Sequence, residues 1–143
     1  MGKKRIVKTE SEAGEGLAKT TSKVSSKRRV ESGTLYVRST YNNTMLTLCD
    51  KKGNVLGFSS SGALGFKGAK KGTPFAAAKV GETLGLQAHT LGMKEVNVVV
   101  KGVGSGRESG IRGFISKGIN INSIKDATPV PHNGPKPKKP RRV

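Results

Sequence analysis

Two basic, glycine-rich segments are the residues of this sequence best suited to chemistry. Gly65-Phe66-Lys67-Gly68-Ala69-Lys70-Lys71-Gly72-Thr73-Pro74 places Lys67, Lys70 and Lys71 on a permissive backbone. It runs into a helix N-terminus, because Thr73 followed by Pro74 reads as an N-cap and first helical position. Lys101-Gly102-Val103-Gly104-Ser105-Gly106-Arg107-Glu108-Ser109 lies between strand-like and helix-like sequence, where exposed N–H groups and the helix dipole favour an anion. Both segments therefore suit phosphate. Neither is a nucleotide-enzyme motif. Gly113 and Gly118 have the Walker spacing but are followed by Ile119-Asn120, and a dinucleotide fingerprint would need glycine at Arg107 or Ser109.

Catalytic machinery is sparse. Residues 34–133 contain only Asp50, Glu82, Glu95, Glu108 and Asp126 as acids, each placed where a turn, helix or strand edge explains it. His89 and His132 make no metal motif, and the lone Cys49, within Leu46-Thr47-Leu48-Cys49, reads as core filler in a strand. No catalytic residue, metal or cofactor is expected. The basic-Gly-aromatic-small-Phe motif of RNA-recognition sheets is missing and there is no tryptophan. Backbone and shape recognition, rather than base stacking, is expected to carry affinity.

Charge supports the phosphate reading. The 143 residues hold 27 Lys+Arg against 9 Asp+Glu, a net +18, and so strong an imbalance calls for a polyanionic partner. A membrane partner would want a long apolar span, an amphipathic basic helix or a lipid anchor, and none is evident. The start, Met1-Gly2-Lys3-Lys4-Arg5-Ile6, has no apolar stretch behind it, and Ile6 stands where a myristoylation motif needs Ser or Thr. A cytoplasmic location is the resulting expectation.

Residues 1–33 are rich in Ser, Thr, Lys and Glu without a hydrophobic period, which predicts a basic flexible arm. From Thr34 the pattern becomes apolar alternation through Leu35, Val37 and Ser39, then residues 45–49 and 55–58, joined at Tyr41-Asn42-Asn43-Thr44 and Asp50-Lys51-Lys52-Gly53-Asn54. Those are turn residues, so three antiparallel strands are expected. Ala76, Val80, Leu84, Ala88 and Leu91 predict a helix over 74–91 that stops near Gly92. Val96, Val98 and Val100 predict a buried strand. Ser105 and Glu108 have capping-box spacing ahead of a helix with Ile111, Phe114 and Ile115 on one face, closed by Gly118, and residues 119–122 alternate as a last strand. The order β-β-β-α-β-α-β predicts one α/β domain over 34–128, a mixed sheet with helical layers. Residues 129–143 form a Pro/Lys/Arg-rich tail that cannot continue a sheet.

Tyr41-Asn42-Asn43-Thr44, Gly65-Phe66-Lys67-Gly68, Lys71-Gly72-Thr73-Pro74-Phe75-Ala76-Ala77, the 101–109 segment and Pro131-His132-Asn133-Gly134, taken in order, closely resemble small-subunit ribosomal protein eleven, bacterial type. The resemblance runs from about Gly33 to Val143. It implies a three-layer α/β/α sandwich with a mixed sheet, on the platform of the small ribosomal subunit, that bridges 16S rRNA helices and helps form the cleft for the Shine–Dalgarno duplex. It further implies ribosomal proteins seven and eighteen as neighbours, mRNA close by, no homo-oligomer, and a cytoplasmic ribosome or that of a bacterial-type organelle. Carried over by motif, the RNA-facing residues are Asn42, Asn43, Lys67, Lys70, Lys71, Ser105, Arg107, Arg112, His132 and Asn133, with Lys136, Lys138, Lys139, Arg141 and Arg142 of the tail. Val103, Gly110 and Pro135 stand where bacterial members commonly have proline, alanine and cysteine. The alternatives are a general nucleic-acid chaperone and, more distantly, a nucleotide-dependent enzyme.

Overall fold

The computed structural model describes residues 29–142. Five strands and two helices follow one another as β1 (Ser32–Ser39), β2 (Thr44–Asp50), β3 (Val55–Ser60), α1 (Pro74–Thr90), β4 (Glu95–Gly102), α2 (Gly106–Ile115) and β5 (Asn120–Asp126), with a 3-10 turn over Gly68–Gly72 ahead of α1. The sheet order is β3-β2-β1-β4-β5. β3, β2 and β1 are antiparallel neighbours, whereas β1, β4 and β5 are parallel. The expected chain order and mixed sheet are thus present.

This topology gives the sheet two unlike ends. Parallel pairing aligns the C-termini of β1, β4 and β5, and the antiparallel hairpins bring the end of β3 and the start of β2 to the same edge. Residues 40–43, 61–73 and 103–105, and the chain beyond Asp126, all emerge there. Residues 51–54, 91–94 and 116–119 emerge at the other end.

The core lies on one face. Leu35 and Val37 of β1, Leu46 and Leu48 of β2, and Val96, Val98 and Val100 of β4 are buried under Val80, Leu84 and Ala88 of α1 and Ile111 and Phe114 of α2. Both helices cover this one face, which departs from the expected sandwich: among the described residues the opposite face has no helical layer. The reason is chemical. Arg38, Asn97, Lys101 and Lys125 occupy the opposite phase of the strands and are exposed, leaving too little apolar surface to hold a second layer.

The helices fit side by side because their contact is made of backbone. A Cβ added at Gly81 would collide with the carbonyl oxygen of Gly110, and one at Gly113 with that of Ala78. Other boundaries also shift. β1 starts at Ser32, ahead of Thr34, and the Val30 N–H reaches the Leu91 carbonyl at 3.2 Å. β5 runs to Asp126 rather than 122, because a mostly exposed edge strand lacks clear alternation and a bulge between Val96 and Asn97 shifts its register. Ile115 is turned outward, unlike Ile111 and Phe114.

Gly81→Ala should lower the urea midpoint by about 1–3 kcal/mol of stability, with the m-value unchanged. Helix propensity alone would raise stability by about 1 kcal/mol. A higher midpoint would therefore mean that the helices can separate freely.

Candidate nucleic-acid interface

The loop-bearing end of the sheet gathers the predicted contact residues that precede Arg112. Asn42 lies exposed in the turn between β1 and β2. Asn43 holds that turn: its carbonyl accepts from the Thr40 N–H at 2.9 Å and its Oδ1 from the Thr44 N–H at 3.0 Å. Its side chain is therefore partly committed to local structure. The turn's backbone packs on the end of the lysine loop, where a Cβ at Gly72 would strike the Tyr41 carbonyl.

Lys67, Lys70 and Lys71 sit on or beside the 3-10 turn that leads into α1. The Thr73 hydroxyl donates to the Lys70 carbonyl at 2.7 Å and accepts from the Ala76 N–H at 3.3 Å, joining loop and helix. No acidic residue occupies the first turn of α1, and among the described residues no carboxylate pairs with the three lysines. Three cations and the positive end of a 17-residue helix favour one anion site.

The second glycine-rich turn is fastened to the first. Ser105 Oγ donates to the Gly72 carbonyl at 3.0 Å instead of capping α2. The expected capping box is not made, because Ser105 already has helical dihedrals and its hydroxyl serves this link. Gly102 has φ 102°, a left-handed value that suits glycine. Its N–H donates to Thr128 Oγ at 3.2 Å. Side chains at Gly104 and Gly106 would strike Thr40 and Thr44. Beneath them the hydroxyls of Ser39 and Thr44 are fully buried, with no hydrogen-bond partner among the described residues.

Arg107 spans this corner. Its Nη1 donates to the Gly102 carbonyl at 3.0 Å and its Nη2 to the Asp126 carboxylate, an ion pair. Asp126 also accepts from the Thr128 hydroxyl and N–H. These bonds, those of Thr128 first and that of Arg107 next, hold the Asp126 carboxyl down to about 2. Much of the Arg107 fork is thus spent on holding the turn, which spacing could not show.

The remaining predicted residues lie apart. Arg112 is exposed on the outer surface of the helix layer, beside Pro74, Glu82 and Ser109. His132 and Asn133 lie in an exposed bend beyond β5, Asn133 with φ 53°, and Lys136, Lys138, Lys139, Arg141 and Arg142 follow, exposed, in chain without regular secondary structure. The tail leaves from the interface end, where the Ala127 N–H bonds the Val100 carbonyl at 2.8 Å. Lys3, Lys4, Arg5, Lys27 and Arg28 of the basic arm lie outside the described residues.

Two exposed aromatic residues lie outside the predicted set. Tyr41 is 79% exposed and Phe75 65%, both beside the lysine loop. Phe75 meets Phe66 edge-on at 6.2 Å, and Lys79 Nζ stands 5.7 Å from its ring centre. The signal was an aromatic within a turn motif and another at the second position of a helix, where a buried side chain is not required.

Among the described residues, no three His, Cys, Asp or Glu side chains cluster as a metal site and no helix is long and apolar enough to cross a membrane. Cys49 is buried, and desolvation, helped by the Asp50 charge, pushes its thiol up. Comparison with family models gives a match to Ribosomal protein S11 over residues 33–142.

The Asp126 shift carries a pH signature. A depressed carboxylate stabilises the fold above its unfolded value, near 3.9, and that contribution disappears as pH falls through about 2. Asp126→Asn should therefore melt below the parent at neutral pH, with the difference in Tm closing between about pH 4 and pH 2. A gap that stays constant across that range would remove Asp126 from the clamp.

Proposed function

Since the chain belongs to the Ribosomal protein S11 family, small-subunit ribosomal proteins that bind rRNA in translation, we propose that it bridges 16S rRNA helices on the platform of the subunit. The family is structural rather than enzymatic. In this reading the chain also helps form the cleft that receives the Shine–Dalgarno duplex. Ribosomal proteins seven and eighteen are its neighbours, and the ribosome that holds it is cytoplasmic or that of a bacterial-type organelle.

The observation that carries the proposal is the meeting of two glycine-rich turns, three unpaired lysines and a helix N-terminus at one end of the sheet. Lys67, Lys70 and Lys71 contact phosphates there. Asn42 and the free amide of Asn43 add neutral hydrogen bonds, while Ser105 and Arg107 chiefly hold the surface in shape. The exposed tail, with His132, Asn133 and its basic residues, extends the contact to a second helix. Arg112, on the outer helix surface, faces a further stretch of backbone. Each phosphate neutralised releases counterions, so binding is salt-dependent and only weakly sequence-dependent.

A tagged chain should sediment with the small subunit through a moderate salt wash. The Lys70→Gln/Lys71→Gln variant should wash off at lower salt, with a log–log salt slope on duplex rRNA shallower by about 0.9 per lost contact. A free pool, or even spread over all cellular nucleic acid, would contradict the proposal.

A further inference from the structure

The face of the sheet turned away from the helices carries a site that the strand-end loops do not use. Near the interface end, a shallow cavity of about 730 Å³ is lined by the apolar surfaces of Tyr36, Met45 and Val99 and by the cations Arg38 and Lys101. Register brings these side chains together: Arg38 pairs with Met45 of β2 and Lys101 of β4, and Tyr36 with Val99. Tyr36 is 43% exposed although it stands on the central strand. No carboxylate lines the cavity, and neither cation has an ion-pair partner among the described residues.

An aromatic, apolar floor beside two unopposed cations fits a ligand that is flat and apolar at one end and anionic at the other. An unpaired nucleotide has that form, with a base to stack and a phosphate to pair. A duplex does not, because its bases are already stacked. Position favours RNA over an acidic peptide. Thr40 and Gly102, which line the cavity, also begin the Asn42-Asn43 turn and the second glycine-rich turn of the proposed RNA surface, so one RNA strand can pass from the loops onto the sheet. We propose that this open face takes a splayed-out, unpaired nucleotide of the bound RNA, stacked on Tyr36 with its phosphate on Arg38 and Lys101. The inference rests on the RNA-binding reading above and adds a contact to single-stranded RNA.

The chain has two tyrosines and no tryptophan, so in a full-length Tyr41→Phe variant the tyrosine emission comes from Tyr36 alone. A short oligouridylate should quench it. Tyr36→Leu should weaken oligouridylate binding about tenfold and leave the affinity for a small-subunit rRNA hairpin duplex, with its salt slope, unchanged. Arg38→Gln/Lys101→Gln should make the oligouridylate salt slope shallower by about 0.7 per lost contact. Unquenched emission together with normal duplex binding would overturn this proposal and leave the RNA reading intact, whereas binding of neither RNA would overturn both. Quenching without duplex binding would support the open face and count against the phosphate surface. Quenching by polyglutamate but not by oligouridylate would overturn the proposal in favour of an acidic protein. So would a Tyr36 already shielded from iodide in the free chain, since the face would then be covered by the chain itself or a second copy.

Discussion

The parallel pairing of β1 with β4 is the constraint on which the rest of the molecule depends. With Ser39 opposite Gly102, the turn that follows β1 and the glycine turn that follows β4 must leave the sheet side by side. Their backbones then approach closely enough that only glycine fits at 102 and 104. The start of α2, the clamp of Arg107 on Asp126 and the departure of the tail past Thr128 are all set by that approach. α1 comes to the same edge because β3 ends there, and Ser105 completes the joint through the Gly72 carbonyl.

A surface built this way suits a polyanion. Its ion pair between Arg107 and Asp126 is closed within the protein, and among the described residues no carboxylate pairs with the lysines of the 67–71 loop, so they keep their charge for an outside partner. Pre-ordered turns also spare part of the entropy that a flexible basic loop would lose on binding. The tail offers the opposite device, an exposed extended chain whose ordering accompanies binding. A rigid patch and a pliant tail leaving from one edge let a small domain hold two pieces of RNA at a fixed spacing.

Much of this was legible in the sequence. Alternation in β1 and β4, the turn residues at 41–44 and 50–54, and Thr73-Pro74 ahead of a periodic apolar run placed the elements in the right order, because each signal is local. Placement on one face was not legible: the two helices lie side by side because Gly81 and Gly113 let their backbones touch, a contact between residues distant in the chain. The lysine loop was found from charge and glycine content, since its role needs only exposure. Arg107 was read as a free phosphate ligand because its partner, Asp126, is remote in sequence and adjacent only after β4 and β5 pair. The exposed face with Tyr36, Arg38 and Lys101 was likewise hidden, as an alternating strand looks the same whether its second face is covered or bare.

The most direct test of the account compares lysine acetylation in the free chain and in isolated small subunits, read by mass spectrometry. Both ends of the sheet carry lysines, exposed Lys67 and Lys70, half-buried Lys71 and the tail at one and exposed Lys51, Lys52 and Lys94 at the other, so charge alone does not choose between them. The account predicts that assembly protects Lys67, Lys70 and Lys71 while Lys51 and Lys52 stay reactive. Protection of Lys51 and Lys52 with Lys67, Lys70 and Lys71 still open to reagent would contradict it, and would move the RNA to the opposite end of the sheet.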